Sequence, residues 1–215
     1  MTLELKKRII TSIILITLLF FMHFYTYILI ISLIVITLIT WIEFYGLLAK
    51  IFYKNKLLKF IFKSISLTYL LSLFLCILYV VSSKPELKIF FVYSILVSIA
   101  SDIGGLIFGK LFKGKKLTKI SPNKTISGAM GSFLFSLILV PFYLNIFTDY
   151  KIFLLILITI SISLTSQMGD LFISFLKRKA SVKNTSNLLP GHGGVLDRID
   201  GMIFAIPVGL ILFYI

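Results

Sequence analysis

Apolar runs close to the ~20 residues that a helix needs to cross a bilayer recur along this chain, and they leave few folds open to it. They fall at about 9–24, 27–48, 62–81, 88–109, 128–147, 151–175 and 199–215, in a sequence that is 59% hydrophobic. In lipid every backbone N–H and C=O must be satisfied within the chain, so runs of this length predict helices. The expected fold class is an all-α, polytopic transmembrane bundle of about seven spans. The first two spans come from one nearly continuous run. Left unbroken, its 39 helical residues would be ~58 Å long, about twice the hydrocarbon thickness. The split is expected at His23-Phe24-Tyr25-Thr26, where aromatic residues suit an interface turn. Lys6, Lys7 and Arg8 ahead of the first run give it the look of a signal peptide. No small-residue cleavage site follows, so it is read as a retained span.

The net charge of +14 would suit a nucleic-acid binder, but its distribution argues otherwise. With the N-terminus in the cytoplasm, 19 of the 22 Lys and Arg fall on the cytoplasmic side and only Lys84, Lys88 and Lys151 on the other. That bias is the positive-inside rule. A basic stripe interleaved with aromatics on a soluble surface is missing, so no nucleic-acid partner is expected. The same lysines should attract anionic headgroups of the inner leaflet. The single cysteine, Cys76, excludes an intrachain disulfide framework and a cysteine zinc site, and is read as a small packing residue.

Against this background, ionisable residues inside spans are costly and call for a cavity or a partner. Asp102 precedes Lys110 by eight residues and Asp170 precedes Lys177 by seven. At helical rise both carboxylates lie roughly 10–12 Å below the cytoplasmic end. Gln167, Asp170, Ser174 and Lys177, spaced 3, 4 and 3, share one helix face. Asp197 and Asp200, three apart at the start of the last span, are expected to share another. N-capping explains one such acid but not the neighbouring depth of Asp102 and Asp170. Several carboxylates beside a basic loop suit a hard cation of the Mg²⁺ type. Glu43 reads equally as an interface residue or as a partner of this site.

Other patterns carry less. Gly104 to Lys110 mimics the start of a P-loop, but Leu111 stands where Ser or Thr is required, and Gly105 and Gly109 read better as a helix-packing face. The sequons at Asn123 and Asn184 fall in cytoplasmic loops, and His23 is isolated. Ser121-Pro122 predicts a turn, and Lys124, between that turn and a helix start, is a phosphate-ligand candidate.

From Ser174 to Asp200 the chain carries Ser174-x-x-Lys177-Arg178, Lys183, and Leu189-Pro190-Gly191-His192-Gly193-Gly194-x-x-Asp197-Arg198-x-Asp200. This closely resembles the C-terminal pattern of phosphatidate cytidylyltransferases (CDP-diacylglycerol synthases). Gln167-x-Gly169-Asp170-Leu171, Asp102-x-Gly104 and Ile120-Ser121-Pro122-x-Lys124-Thr125 fit the same family. The resemblance covers about residues 100–215 and divides the chain into N-terminal membrane helices (1–95) and a catalytic membrane region (96–215) with cytoplasmic loops at 110–127 and 176–198. Asn184 and Ser127 depart from it, standing where the family usually has Asp and Glu. The N-terminal part is also shorter than in many relatives.

The resemblance implies condensation of CTP with phosphatidate to CDP-diacylglycerol and pyrophosphate, at the cytoplasmic face of a bacterial-type inner membrane. The lipid phosphate is already an anionic nucleophile, so catalysis reduces to holding two polyanions together and stabilising the charge that develops. Asp170, Asp197 and Asp200 would hold Mg²⁺, with room for a second, monovalent ion. Lys177, Arg178, Lys183 and Arg198 would neutralise phosphates. Ser174 and His192 would orient substrate, Gly193 and Gly194 would shape the pocket, and Asp102, Ser121 and Lys124 would complete it. A homodimer is compatible with this reading. The alternatives are a CTP-dependent transferase or kinase on another lipid and, from a different class, a cation transporter. The latter predicts polar residues through the full membrane depth, whereas here they keep to one half.

Overall fold

The structure, a computed structural model, describes residues 3–82, 85–118, 120–122, 124–148 and 150–214. Lys84, Lys119 and Asn123 therefore lie outside the described residues, as do the side chains of Lys6, Lys7, Arg8 and His23. The described chain is helical: α1 (Leu3–Phe24), α2 (Thr26–Ile51), α3 (Lys56–Ser82), α4 (Pro85–Phe112), α5 (Ile126–Leu137), α6 (Val140–Tyr143), α7 (Ile152–Lys179), α8 (Leu196–Ile199) and α9 (Met202–Tyr214). Only isolated bridges, Lys116 with Thr125 and Leu189 with Gly193, have β geometry among the described residues. Five segments are long and apolar enough to span a bilayer: α2, α3, α4 from Leu87, the α5–α6 stretch Ile126–Tyr143, and α7.

Seven full spans were expected; α1 and α9 are not among these five, and the last and fifth spans depart from a single unbroken helix. The last one is interrupted. Asp200 and Gly201 separate α8 from α9, and α9 has 13 residues, ~20 Å of helix against ~30 Å of hydrocarbon. At the break Asp200 Oδ1 takes the N–H of Gly201, and residue 201 has to be glycine because a Cβ there would meet Ser166 Oγ at 2.5 Å and its carbonyl oxygen at 3.0 Å. Asp197 and Asp200 consequently do not share the face of one helix, as their spacing had suggested. The fifth span also breaks, at Pro141 in the first turn of α6. Proline has no N–H for the carbonyl four residues back and its ring collides with it. That carbonyl belongs to Leu137, where α5 stops. Between α1 and α2 the split falls at Tyr25, in extended conformation (φ −118°), within the expected tetrapeptide. Bonds from Tyr25 N to Phe21 O (2.9 Å) and from Leu29 N to Tyr25 O (3.1 Å) continue across it, so it is a kink. Finally, α7 runs on to Lys179, so the loop expected from residue 176 begins at 180.

By packing, the chain forms two compact units: residues 1–78 with 176–199, and 79–175 with 200–215. In the second unit α4 and α5 meet along small residues. A Cβ on Gly104 would lie 2.4 Å from Gly131 O, and one on Gly131 2.3 Å from Phe108 Cβ. Gly105 and Gly109 face Ser132, Thr125 and Gly128 as the small-residue spacing predicts. The opposite side of α5 exposes Ile126, Met130, Leu134 and Ile138 at four-residue intervals, a stripe suited to lipid. Beneath, hydroxyls pair across helices: Ser98 with Ser166 (2.7 Å), Ser163 to Ser101 Oγ (2.9 Å), Ser132 to Ser101 O (2.7 Å) and Tyr93 with Thr159 (2.6 Å). In lipid such bonds and close contacts take over the role that apolar burial has in water. An aromatic knot of Tyr93, Phe147 and Phe213 closes the far end. Cys76 is exposed, not packed inside as expected.

Candidate active site

In the first unit, a loop over 180–195 is built around two acids. It opens where α7 ends: Ser181 takes a left-handed conformation (φ 54°), and Val182 N returns to Lys177 O (3.0 Å). Leu189-Pro190-Gly191-His192 then turns the chain, with His192 N bonded to Leu189 O (2.9 Å) and Gly191 at φ 76°. Proline second and a positive-φ glycine third is the type II turn pattern. Asp197, in α8, ties the loop together. Its Oδ1 accepts from Lys177 Nζ (2.8 Å); its Oδ2 accepts from Thr185 N (2.9 Å), Thr185 Oγ1 (3.0 Å) and Gly194 N (3.0 Å). Burial would raise its pKa, but the Lys177, Gly194 and Thr185 bonds outweigh burial and hold the carboxyl below its ordinary value.

Glu43 is the second anchor. Buried on α2, it accepts from Ser186 Oγ (2.6 Å), Val195 N (3.1 Å) and Leu196 N (2.8 Å), and it shares the single proton of Thr185 Oγ1 (2.8 Å) with Asp197. It thus satisfies donors at the start of α8. Gly194 is needed at this point, since a Cβ there would sit 2.5 Å from the Glu43 carboxylate. Sequence reasoning gave Glu43 no definite role. The available signal was a carboxylate near the end of an apolar helix, but its partners lie more than 140 residues away in sequence.

The backbone N–H groups of His192, Gly193 and Gly194 are all donated within the loop, to Leu189 and Asp197. Gly193 and Gly194 thus hold the loop's shape, and what the loop presents outward is side chains. Arg198 binds His192 O through Nε (3.1 Å) and Nη2 (2.7 Å), which leaves three of its five N–H donors for another acceptor. Arg178 and Lys183 are exposed, and His192 Nδ1 is buried without a hydrogen-bond partner.

In the second unit, Asp170 accepts from Ser174 Oγ (3.3 Å) and forms an ion pair with Lys124. Asp102 interacts electrostatically with both Asp170 and Lys124. Gln167, one turn before, reaches Ser163 (3.4 Å), so the polar stripe of α7 joins the hydroxyl seam below it. Lys124 is positioned by a hairpin-like loop: Leu117 N bonds to Lys124 O (2.8 Å), Lys124 N to Ser121 O (3.0 Å), and Thr125 caps α5 through Gly128 N (3.0 Å). Ser127, which departs from the family pattern, accepts from Gly114 N (3.3 Å) in the same loop. Asp200 is buried and caps Gly201 N (3.0 Å); its carbonyl oxygen would be 2.8 Å from a Cβ on Gly169, so this strand of chain passes against α7 beside Asp170.

Among the described residues, no three His, Cys, Asp or Glu side chains stand together as a preformed metal cage. In donor chemistry the acids still fit a hard cation, because Asp170 and Asp197 each hold a cationic ammonium group against carboxylate oxygens.

The fold and these clusters define a multi-pass helical membrane protein with lysine-matched carboxylates and a basic, glycine-turned loop. Comparison with known proteins agrees. Residues 4–215 match the family described as the cytidylyltransferase family, and the chain belongs to it. Similar proteins include the phosphatidate cytidylyltransferases of Staphylococcus saprophyticus and Staphylococcus haemolyticus. Each is 42% identical over 134 residues, 61% of this chain and 51% of theirs. That of Staphylococcus aureus is 40% identical over 122 residues, 55% of this chain and 46% of its own. The chain thus spans about half the length of the relatives it matches.

Proposed function

We propose that this protein transfers the cytidylyl group of CTP to phosphatidate, forming CDP-diacylglycerol and pyrophosphate, at the cytoplasmic face of a bacterial inner membrane. The observation that carries the reading is the matching of acids with lysines, Asp170 with Lys124 and Asp197 with Lys177, in a chain of this family. An acid that holds an ammonium group keeps a cation in place without substrate and can give it up to a phosphate. The names of the relatives support the choice of acceptor.

In this reaction an oxygen of the lipid phosphate attacks the α-phosphorus of CTP, and the bond from that phosphorus to the bridging oxygen breaks as pyrophosphate leaves. The nucleophile is an anion already, so no side chain has to remove a proton. Lys124 and Lys177 would turn from their carboxylates to phosphate oxygens, adding charge-assisted bonds where negative charge develops. Arg198, held by His192 O, would offer its remaining donors in a fixed orientation, and Arg178 and Lys183 would draw CTP in from water. Ser174 and His192 would orient the phosphates; Asp102 and Ser121 would fix the position of Lys124. Mg²⁺ belongs to the same proposal, with Asp170, Asp197 and Asp200 as its oxygen donors. When bound, it would neutralise triphosphate charge.

The test is an acceptor panel. Purified protein is given CTP, Mg²⁺ and, in turn, phosphatidate, diacylglycerol and an isoprenoid alcohol, with pyrophosphate and CDP both measured. Pyrophosphate release with phosphatidate alone is the expected result. CDP release with an alcohol acceptor would instead establish a CTP-dependent kinase, and pyrophosphate release confined to an alcohol a cytidylyltransferase on another lipid.

A further inference from the structure

Glu43 points to the 180–195 loop, whereas Trp41 and Tyr45, two residues to either side, lie on the opposite face of α2. There they line an open groove of about 380 Å³ together with Lys56, Lys59, Lys63 and Ser64 of α3. A stack of Phe52 on Phe62 (centroids 4.7 Å apart, 4° between planes) joins the two helices near their connecting turn. Two features of the groove are unusual. Lys63 is only 9% exposed, and its Nζ lies 2.9 Å from the Tyr45 ring centroid. Its charge is thus kept inside the unit by a cation–π contact. The indole N–H of Trp41 is buried and donates to nothing. No carboxylate among the described residues forms an ion pair with Lys56, Lys59 or Lys63.

A buried N–H without an acceptor costs about 1–3 kcal/mol, and a buried ammonium without a counter-ion costs more. Both costs are relieved by one kind of ligand: an anion with several oxygen acceptors, entering from the side where the lysines lie. The walls are also greasy. Phe60 and Leu67, which complete the lining, are exposed apolar residues of α3 that suit acyl chains. We propose that the α2–α3 groove is a binding site for the phosphate headgroup of an anionic phospholipid, separate from the acids and lysines assigned to catalysis. Trp41 N–H and Ser64 would bond the phosphate, Lys59 and Lys63 would neutralise it, and Lys56 would draw it in. Lys56 and Lys59, in the first turn of α3, stand where a span meets headgroups.

Trp41 is the only tryptophan of the chain, so its fluorescence reports this groove directly. The full-length protein is placed in phosphatidylcholine nanodiscs containing increasing amounts of phosphatidylglycerol with brominated acyl chains. Brominated phosphatidylcholine is the control lipid, and inorganic phosphate and CTP are separate arms. Saturable quenching by the phosphatidylglycerol beyond that by the control is expected, with no response to inorganic phosphate or CTP. The Lys59→Gln and Lys63→Gln variants should each weaken the selective component about fivefold. The Lys56→Gln/Lys59→Gln double variant leaves buried Lys63 in place and gives the same reading if Lys63→Gln does not fold. Equal quenching by the two lipids, or selective quenching that survives the lysine changes, would overturn the site. Saturation by CTP or inorganic phosphate would make it a soluble-anion site instead. No turnover is involved, so the outcome is independent of whether phosphatidate is the acceptor.

Discussion

Glu43 and Asp197 show how much a single carboxylate can organise. Each accepts three hydrogen bonds of its own, the two share the single proton of the Thr185 hydroxyl, and together they hold Thr185, Ser186, Gly194, Val195 and Leu196. Glu43→Ala leaves at least two backbone N–H groups near α8 without an acceptor, a loss of about 3 kcal/mol. Limited proteolysis should then cut the 180–195 loop faster, and cytidylyl transfer should fall at least about tenfold. Glu43→Gln, which keeps one acceptor oxygen, should recover part of both. Asp197 has a pH signature. Its carboxyl is held below the ordinary value of about 3.9, so its stabilisation of the loop is complete above that pH and is lost as pH falls through the lower folded value. Hydrogen exchange through residues 183–196, corrected for intrinsic rate, should be flat from pH 8 to 5 and rise only below about pH 4. A rise between pH 7 and 5 would show that another group controls the loop. At this scale the sequence showed which residues bear chemistry, because acids and lysines are rare in an apolar chain. It did not show their pairing. Lys124 and Asp170 are 46 positions apart, and nothing in spacing or periodicity tells that one holds the other.

Helices in lipid are held less by apolar burial than by fit, as the α4–α5 contact is. Gly104 and Gly131 are in near backbone contact, whereas a Cβ on Gly46 of α2 would meet nothing within 4 Å. Gly104→Ala should therefore lower the thermal midpoint in detergent by several degrees, from a clash with backbone that cannot move aside. Gly46→Ala should leave it unchanged or raise it, through the helix propensity of alanine. The glycine spacing of α4 was legible as a packing face, and its partner surface was not. The break at Pro141 could have been read from proline chemistry. The need for glycine at 201 could not, since it follows from the approach of Ser166.

Across the whole molecule, the apolar runs and the lysine bias constrain topology more firmly than any motif. The rule predicts Lys115 in the cytoplasm and Lys151 outside. In a Cys76→Ser background, a membrane-impermeant maleimide applied to intact cells should label Lys151→Cys and spare Lys115→Cys until the cells are opened. The reverse pattern would invert the topology and move the proposed site to the wrong face for CTP. That the 180–195 loop folds with the N-terminal helices was outside what sequence could give, because the contact runs through Glu43, a residue with no motif around it.

In the proposed reaction the α-phosphate of CTP passes to a lipid phosphate. CTP labelled at the α-phosphate and, separately, at the γ-phosphate distinguishes this from every kinase reading in one extraction. With phosphatidate and Mg²⁺, the expected result is lipid-bound label from the α-labelled nucleotide, water-soluble pyrophosphate from the γ-labelled one, and loss of both in Asp170→Asn and Asp197→Ala. Lipid-bound label from γ-labelled CTP, or full transfer by Asp197→Ala, would contradict it.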